Sequence, residues 1–329
     1  MPQVLFRRCD RHGAILRRRE CAGRAAAVPS KDAFIANALE LVPLTVAPIE
    51  KLKGEQQNAV DQLSTAQMPT RADESFRFTN LSKLLENRLQ PPSAVSDTSA
   101  PASIPQLTDD AARLVFANGQ VDPEASCLEA LPDSMYVGSL SGAPAEAQVA
   151  LGRLSSERGG VFTWMNAATA ADVQVCYLPA GVECTVPLHV VFASSSASEA
   201  GHAVMYSPRL LIVAEKDAKV EVVEEFVGEA GEGNYFMNSV TEIVLDQNAS
   251  VAHRLVQTEA EGAFHIKSTF VQQEQSSSYE LVEARLGGQL SRHVPPTLLQ
   301  PSTVHQHDAS ASAILNMECC RDSTRISLL

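Results

Sequence analysis

Two adjacent carboxylates, Glu224 and Glu225, are the first residues whose type and spacing suggest chemistry. A pair of carboxyl groups that flank one substrate is the arrangement that glycosidases use for acid and base catalysis. Here the alternation of Val220, Val222 and Phe226 with polar residues indicates a β-strand, in which neighbouring side chains point to opposite faces. The two carboxylates therefore cannot converge on one substrate, and we expect them on a solvated face.

Two histidines and two cysteines lie in or beside predicted strands. His253 and His265 are flanked by apolar residues and have no cysteine or carboxylate at metal-ligand spacing, so we expect sheet histidines that are at the surface or hydrogen-bonded within the fold. Cys176 and Cys184 bracket the turn YLPAGVE and could approach each other across it. Because free cysteine behaves as a small hydrophobic residue, we interpret both as buried structural thiols and not as a metal pair.

The C-terminal tail offers further residues of metal-binding type, namely His305, His307, Asp308, Cys319 and Cys320. As types they could ligate zinc or iron, but adjacent cysteines are awkward partners in a tetrahedral site. The surrounding PPTLLQPSTV and ASASA stretches have no stable periodicity, so we expect a disordered tail.

Motifs for nucleotide chemistry are missing from the sequence. There is no GxxxxGKS or GxxxxGKT, so we do not expect the chain itself to hydrolyse nucleotides. The glycine-rich GEAGEG at 228–233 lacks the GxGxxG order and indicates a flexible loop. We therefore assign no catalytic and no cofactor-binding residue, and the metal ligands stay unknown.

The charge of the chain is unevenly distributed. Residues 1–31 carry a net charge of +6 and the remainder −19, within a total of −13. An Arg-rich, acid-poor N-terminus predicts an organelle transit peptide over 1–31, with a basic disordered tail as the alternative. The acidic body argues against nucleic acid as a partner, because phosphate binding needs clustered Lys and Arg. No apolar run is long enough to span a membrane, and seven cysteines without a CxxC pair fit a reducing compartment.

The elements that must position these residues change type along the chain. Residues 32–89 have apolar residues at helical spacing, and a Pro/Ser-rich linker follows at 90–109. A β-rich core spans 110–292, with a helical interlude near 145–171, and the tail occupies 293–329. The fold class is therefore mainly β, preceded by an N-terminal helical region.

Strand spacing is the most informative pattern of the core. Strands begin near residues 209, 220, 239, 251, 263 and 279, and every second one recurs after 24 to 31 residues. This period predicts a β-helix with two strands per coil, with a β-sandwich of hairpins as the alternative. We expect the strands near 209, 239 and 263 in one parallel sheet and those near 220, 251 and 279 in the other. Val220, Val222, Phe264 and Ile266 should point inward.

Extensive sheet without a convergent polar cluster favours a surface that binds proteins over a pocket that turns over a substrate. Two alternatives stay open from the residues alone. One is a β-helix enzyme of the polysaccharide-lyase type, which would stack Asp, Arg and Lys on successive coils of one sheet face. The other is a β-sandwich binding module.

Six segments of the sequence together form a recognisable series. They are LSTAQMPTRADESFRFTNLSKLL (63–85), RLVFANGQVDPEAS (113–126), VFTWMNAA (161–168), SPRLLIVAEKDAKVEVVEEFVG (207–228), NASVAHRLVQTEAEGAFHI (248–266) and GGQLSRH (287–293). In this order they resemble the SufD family of iron–sulfur cluster assembly proteins. In the first segment Phe76 and Phe78 stand where the family usually has Trp and Tyr, so the apolar character is kept.

The resemblance implies a right-handed parallel β-helix behind an N-terminal helical region. It implies a non-catalytic scaffold subunit that works with a SufB-like scaffold and a SufC-like ATPase, without nucleic-acid or membrane partners. No cofactor would be bound stably by this chain, and an iron–sulfur cluster would be held transiently by the complex. Together with the basic N-terminus it implies the plastid, in the chloroplast stroma, with the mitochondrial matrix as the alternative.

The sequence departs from the family pattern after His293. Family members continue with further coils, a cluster-site segment and a C-terminal helical domain that docks the ATPase, whereas this chain turns at Val294 into PPTLLQPSTVHQHDASAS. We therefore expect a shortened form, from splicing or an error in the gene model, with poor solubility and little affinity for the ATPase.

Overall fold

The computed structural model describes residues 32–42, 49–94, 111–229, 233–299, 310–312, 315–320 and 323–328. The predicted transit peptide and most of the predicted linker lie outside these residues. The strands are β1 Arg88–Gln90, β2 Ala112–Ala117, β3 Gln120–Val121, β4 Tyr136–Ser139, β5 Gln174–Leu178, β6 Leu188–Ser195, β7 His202–Tyr206, β8 Arg209–Ala214, β9 Lys219–Glu229, β10 Asn234–Leu245, β11 Ser250–Thr258, β12 Ala263–Gln273, β13 Ser278–Arg285, β14 Leu290–Leu299, β15 Ser310–Ser312, β16 Leu315–Cys320 and β17 Ser323–Leu328.

The strands form two sheets between which the chain passes alternately. Sheet A contains β1, β4, β5, β7, β8, β10, β12 and β14, and sheet B contains β2, β3, β6, β9, β11, β13 and β15–β17. From β8 to β13 each strand pairs in parallel with strands of the coils before and after it, β14 pairs in parallel with β12, and the solenoid makes about three turns. The prediction of two strands per coil is confirmed. The sandwich is wrong, because β8 and β9 lie in different sheets and do not form a hairpin.

The turns that lead from sheet A to sheet B stack on one another. Asp217, Asn248 and Ser276 occupy equivalent positions and have φ values of 62°, 59° and 60°. The N–H groups of Asp217 and Asn248 each donate to a carbonyl of the next coil, and the Asn248 side chain donates to the Asp217 carboxylate over 2.8 Å. The left-handed residue thus turns its N–H along the solenoid axis and links successive coils. We call this row the turn ladder.

The helices cover the outer face of sheet A. They include the predicted interlude near 145–171, and Phe34 and Phe162 pack on Phe236 at ring-centroid distances of 6.2 and 6.0 Å. The helices are α1 Ala33–Leu41, α2 Glu50–Thr65, α3 Ser82–Leu85, α4 Ala145–Ala150, α5 Ser155–Arg158 and α6 Val161–Thr169.

The same helical layer corrects one predicted orientation. Phe264 and Ile266 pack outward with Phe34 and Phe162, whereas the sequence analysis placed them inside the solenoid. The outer face of sheet A is buried under helices, so apolar residues at alternate positions mark a covered face without telling which one. Since Phe264 and Ile266 point out, His265 and Lys267 point into the space between the sheets, which we call the lumen.

The N-terminal coils fill the lumen with apolar side chains. Val220 and Val222 point inward as predicted, together with Cys176 and Cys184. The rings of Phe116, Phe192 and Phe226 stack from coil to coil at 5.1 and 5.0 Å. Both cysteines are free thiols, and the prediction that they are buried is confirmed.

The C-terminal boundary of the sheet lies beyond the one predicted. Strand β14 pairs with β12 through residue 293 as far as Leu299, and β15, β16 and β17 follow in sheet B. Within β14 the register shifts, so that Pro295 and Pro296 together stand opposite Thr269. This is a β-bulge, in which two residues of one strand oppose a single residue of its partner. The β region therefore does not end at 292.

Candidate functional site

The lumen becomes polar in the C-terminal coils. Inward positions of β9–β14 carry acids, bases and hydroxyls where the earlier coils carry aliphatic and aromatic residues. We call this group the lumenal cluster, and it comprises Glu224, Ser239, Thr241, His253, Glu259, His265, Lys267, Thr269, Tyr279, Glu283 and His293.

The Glu224–Lys267 ion pair lies at the centre of the lumenal cluster. The Lys267 ammonium donates to Glu224 and, over 2.5 Å, to the Thr241 hydroxyl, which itself donates to Glu224 over 2.6 Å. Burial alone would raise the pKa of Glu224, but Lys267 and His253 outweigh it and hold that pKa well below its ordinary value. Burial lowers the pKa of Lys267, an effect that Glu224 opposes. The pair is therefore an ion pair sealed from solvent.

His253 extends this pair towards β13. Its Nε2 lies 3.2 Å from Glu224 and its Nδ1 lies 2.9 Å from the Tyr279 hydroxyl. Burial, with the nearby Glu224 and Glu283 charges, raises the pKa of Tyr279 well above its ordinary value, so the phenol keeps its proton. The His253 imidazole therefore links the Tyr279 phenol to the Glu224 carboxylate across the lumen.

A second pair, Glu283 and His293, joins β13 to β14. His293 Nδ1 contacts Glu283, and its Nε2 lies 2.8 Å from the Thr269 hydroxyl. Burial lowers the pKa of His293, although Glu283 opposes this effect. For Glu283, burial would raise the pKa, but His293 and Arg285 outweigh it and hold the pKa below its usual range.

A third pair, Glu259 and His265, closes the other end of the lumenal cluster. His265 Nδ1 lies 2.7 Å from the Glu259 carboxylate and Nε2 lies 2.9 Å from the Ser239 hydroxyl. The imidazole also meets the Phe226 ring edge-on at 4.5 Å between centroids. The stack of Phe116, Phe192 and Phe226 rings is therefore in direct contact with the lumenal cluster.

The structure corrects what the sequence analysis expected of these residues. Glu224 and Glu225 do lie on opposite faces, but both are buried: Glu224 faces the lumen and Glu225 pairs with His189 over 2.7 Å on the outer face of sheet B. His253 and His265 are the hydrogen-bonded sheet histidines of that prediction and do not lie at the surface. The sequence signal that could have revealed this buried pair was the positive charge of Lys267, which is opposite to that of Glu224 one coil away. Only the register of the sheets shows that the two side chains are neighbours.

Of the tail residues of metal-binding type, the structure describes only the backbone of Cys319 and Cys320. His305, His307 and Asp308 lie outside the described residues, and Cys319 and Cys320 lie in β16, opposite Thr324 and Ser323 of β17. Among the residues that the structure describes, no three His, Cys, Asp or Glu side chains are grouped to hold a metal ion.

In the part of the chain that the structure describes, the outer face of sheet B does not have the side-chain arrangement that the polysaccharide-lyase alternative requires. Arg254 lies between Glu221 and Glu280 of the adjacent coils, at 3.2 and 2.7 Å. A lyase would need basic and acidic groups free to meet a sugar acid, whereas the Arg254 guanidinium is engaged by both carboxylates. The arrangement is an ion-pair ladder across three strands, which stabilises cross-strand pairing.

Comparison with known proteins agrees with this architecture. The SufBD protein N-terminal region matches residues 44–190, and the SufBD core domain of the SUF system for FeS cluster assembly matches 194–322. The core match extends past residue 293, where the sequence analysis ended the resemblance. No helix in the described ranges is long and apolar enough to cross a membrane.

Two curated relatives share both regions. Protein ABCI7, chloroplastic, of Arabidopsis thaliana is 31% identical over 285 residues, which are 82% of this chain and 58% of that protein. An iron–sulfur cluster assembly SufBD family protein of Synechocystis is 31% identical over 253 residues, 74% of this chain and 55% of that protein. The chain thus spans little more than half the length of these relatives. On these matches and on its two-sheet solenoid, the chain belongs to the SufBD family of iron–sulfur cluster assembly proteins, as a SufD-type member.

Proposed function

We propose that this chain is a non-catalytic scaffold subunit for iron–sulfur cluster assembly that works with a SufB-like scaffold and a SufC-like ATPase. The observation that carries the proposal is the match of both SufBD regions, in order, to the helical layer and the solenoid. The helical layer and the solenoid pack into one body around Phe34, Phe162 and Phe236, which gives a rigid surface for partners.

The bonding of the lumenal histidines supports a scaffold over a catalyst. His253, His265 and His293 each place both ring nitrogens on protein partners. To act as a base or a metal ligand, each ring would have to give up a hydrogen bond in a buried site, where an unmade bond is costly. The lumenal cluster therefore holds the coils together.

In this proposal the iron–sulfur cluster is cargo of the complex and is not held stably by this chain. Purified chain incubated with ferrous iron and sulfide should show none of the visible absorption of thiolate-bound clusters after desalting. Cys127 is an exposed thiol that could hold iron adventitiously, so Cys127→Ser is the matched control. Absorption that persists in Cys127→Ser would contradict the proposal.

The partners are tested by capture. Immobilised SufB-like scaffold should retain the full chain, and the SufC-like ATPase alone should retain little of it. Failure of the scaffold to retain a folded chain would overturn the proposed partnership. Stable one-to-one capture by the ATPase alone would show that the docking surface lies within this chain.

The proposed compartment is the plastid stroma. The basic composition of residues 1–31 supports it, as does the description of the Arabidopsis relative as chloroplastic. A fluorescent fusion to the first 60 residues should enter plastids. Entry into mitochondria would favour the alternative, and retention in the cytosol would overturn both.

A further inference from the structure

A cavity of about 270 Å³ lies where sheet A is incomplete in the first coil. Strand β7 pairs with β1 as far as Val204, and β8 pairs with β5 from Leu210 onward. Residues 205–209 between them have no strand on that side in the described part of the chain, and all five line the cavity. The gap in the sheet thus opens a route from solvent to the lumen.

The walls of this cavity are apolar and aromatic. Phe116 and Phe192, the first two rings of the stacked ladder, line one side, and Met205 and Met237 line the other. An apolar cavity of about 150 Å³ holds a benzene molecule, and pockets for drug-sized ligands begin at about 300 Å³. The volume therefore suits a molecule somewhat larger than one aromatic ring.

Arg209 is the one lysine or arginine among the described residues that line the cavity. Its side chain is 1% exposed, and Nη2 donates to Glu242 and to Ser155, both over 2.7 Å. The Nε and Nη1 atoms are buried and have no hydrogen-bond partner in the described residues. Buried donors without an acceptor are rare in folded proteins, and an acceptor oxygen in the cavity would satisfy them.

The charges around the cavity favour a ligand that is neutral overall. Glu242 already balances the charge of Arg209, and Asp172 adds a carboxylate to the lining, partly engaged by the Val173 N–H over 2.7 Å. An anionic ligand would be repelled by the carboxylates of Glu242 and Asp172, whereas a neutral carbonyl oxygen can accept a hydrogen bond from Arg209 without that repulsion.

We propose that this cavity binds a small neutral molecule with an apolar, ring-sized body and a carbonyl-type acceptor that Arg209 holds. The site lies outside the lumenal cluster and is independent of the scaffold function. Its ligand enters through the gap between β1 and β5 and lies against the Phe116 and Phe192 rings.

Three probes with one body and different charges test the proposal. 3-Phenylpropionamide, 3-phenylpropionate and 3-phenylpropylamine are added separately to the purified full chain, and binding is followed by saturation-transfer NMR and titration. The amide should bind at least about five-fold more tightly than either charged probe. Absence of amide binding at millimolar concentration, or tighter binding of the carboxylate, would overturn the proposal.

Variants separate this cavity from any other surface. Ala171→Trp, at an exposed position of the lining, should fill the cavity and abolish amide binding, and Ala180→Trp, exposed but outside the lining, should leave it unchanged. Arg209→Lys keeps a charge for Glu242 but removes the Nε and Nη1 donors, so it should weaken the amide about ten-fold. Equal binding by Ala171→Trp and Ala180→Trp, each with an unchanged thermal melt, would contradict the assignment.

Discussion

At the scale of single residues, the Glu224–Lys267 pair determines which substitutions in the lumen destabilise the fold. Both side chains are almost completely buried, 1% and 2% exposed. A buried ion pair gains little net stability, because desolvation offsets the attraction, but removing one partner leaves an uncompensated charge. Each of the two residues is therefore needed to compensate the buried charge of the other.

Glu224→Gln should lower the free energy of unfolding by about 3–5 kcal/mol, because it leaves the Lys267 charge buried and unpaired. Urea denaturation followed by circular dichroism measures the change. Glu221→Gln is the matched control on the same strand, and its half-exposed pair with Arg254 should cost less than about 1 kcal/mol. The double variant Glu224→Gln/Lys267→Met should regain most of the loss, and equal losses for both Glu→Gln variants would contradict this account.

Acid should destabilise the fold in two stages. Burial lowers the pKa of His293, so the unfolded chain binds this proton first as the pH falls through about 6.5, and stability decreases from there. The pKa values of Glu224 and Glu283 are held below the ordinary value of 4.5, so their contribution is present above that pH and is lost as the pH falls further.

The first stage is tested by unfolding at pH 7.5 and at pH 5.5. The difference in stability between the two pH values should shrink in His293→Gln. His202→Gln, at a partly exposed histidine, is the control and should keep the full difference. A His293→Gln variant with the same difference as the parent chain would show that other groups cause the pH dependence.

At the scale of elements, periodicity determined the architecture but not every orientation. The spacing of β8–β13 was enough to predict two parallel sheets, and the inward positions of Val220 and Val222 followed from alternation. The same rule failed for Phe264 and Ile266, because alternation shows that two faces differ and cannot show which is covered by helices. Residues 32–89 were predicted to be helical, but where they pack depends on contacts far apart in the sequence.

The lumenal cluster was missed for the same reason. His265, Lys267 and Thr269 are polar residues of the kind that usually face solvent. In β12 they point into the lumen, because Phe264 and Ile266 point outward, opposite to the predicted orientation. Pairing Lys267 with Glu224 requires the register of β9, β10 and β12 together, which no local pattern contains. The buried thiols at 176 and 184 were predicted correctly because hydrophobic character alone decides their position.

The turn ladder predicts that glycine changes the free energy of unfolding in opposite directions at two serine positions. Ser276 adopts a φ of 60°, where glycine is relaxed and serine is strained, so Ser276→Gly should raise the free energy of unfolding by about 0.5–1 kcal/mol. Ser250→Gly, in strand β11, should lower it by a similar amount, because glycine in a strand loses more entropy on folding. Thermal unfolding of both variants measures the difference, and equal signs would be inconsistent with a ladder of left-handed turns.

At the scale of the whole molecule, Arg292 ties strand β14 to the N-terminal helical region. From β14 it donates to Thr79 over 2.8 Å and to the Ser75 carbonyl over 2.5 Å, and its guanidinium lies 4.2 Å from the Phe76 ring centroid. The last described strand of sheet A thereby holds the PTRADESFRFT stretch (69–79) in place. Phe78, in the same stretch, is 92% exposed.

Arg292→Ala should release this stretch without unfolding the solenoid. Hydrogen exchange measured by mass spectrometry should increase in residues 70–80 and stay unchanged in β9 and β11. Arg254→Ala, which removes a guanidinium from the ion-pair ladder of sheet B, is the control and should leave residues 70–80 protected. Global loss of protection in Arg292→Ala would mean that the contact supports the entire fold.

The bulge in β14 has a consequence for aggregation. Neither Pro295 nor Pro296 has a backbone N–H, so two consecutive residues of β14 cannot donate to a neighbouring strand. Towards β12 the register shift accommodates this gap. Among the described residues β14 pairs only with β12, so a foreign strand that approached its other edge would meet an interrupted row of hydrogen-bonding groups. The proline pair thus limits uncontrolled strand addition to β14.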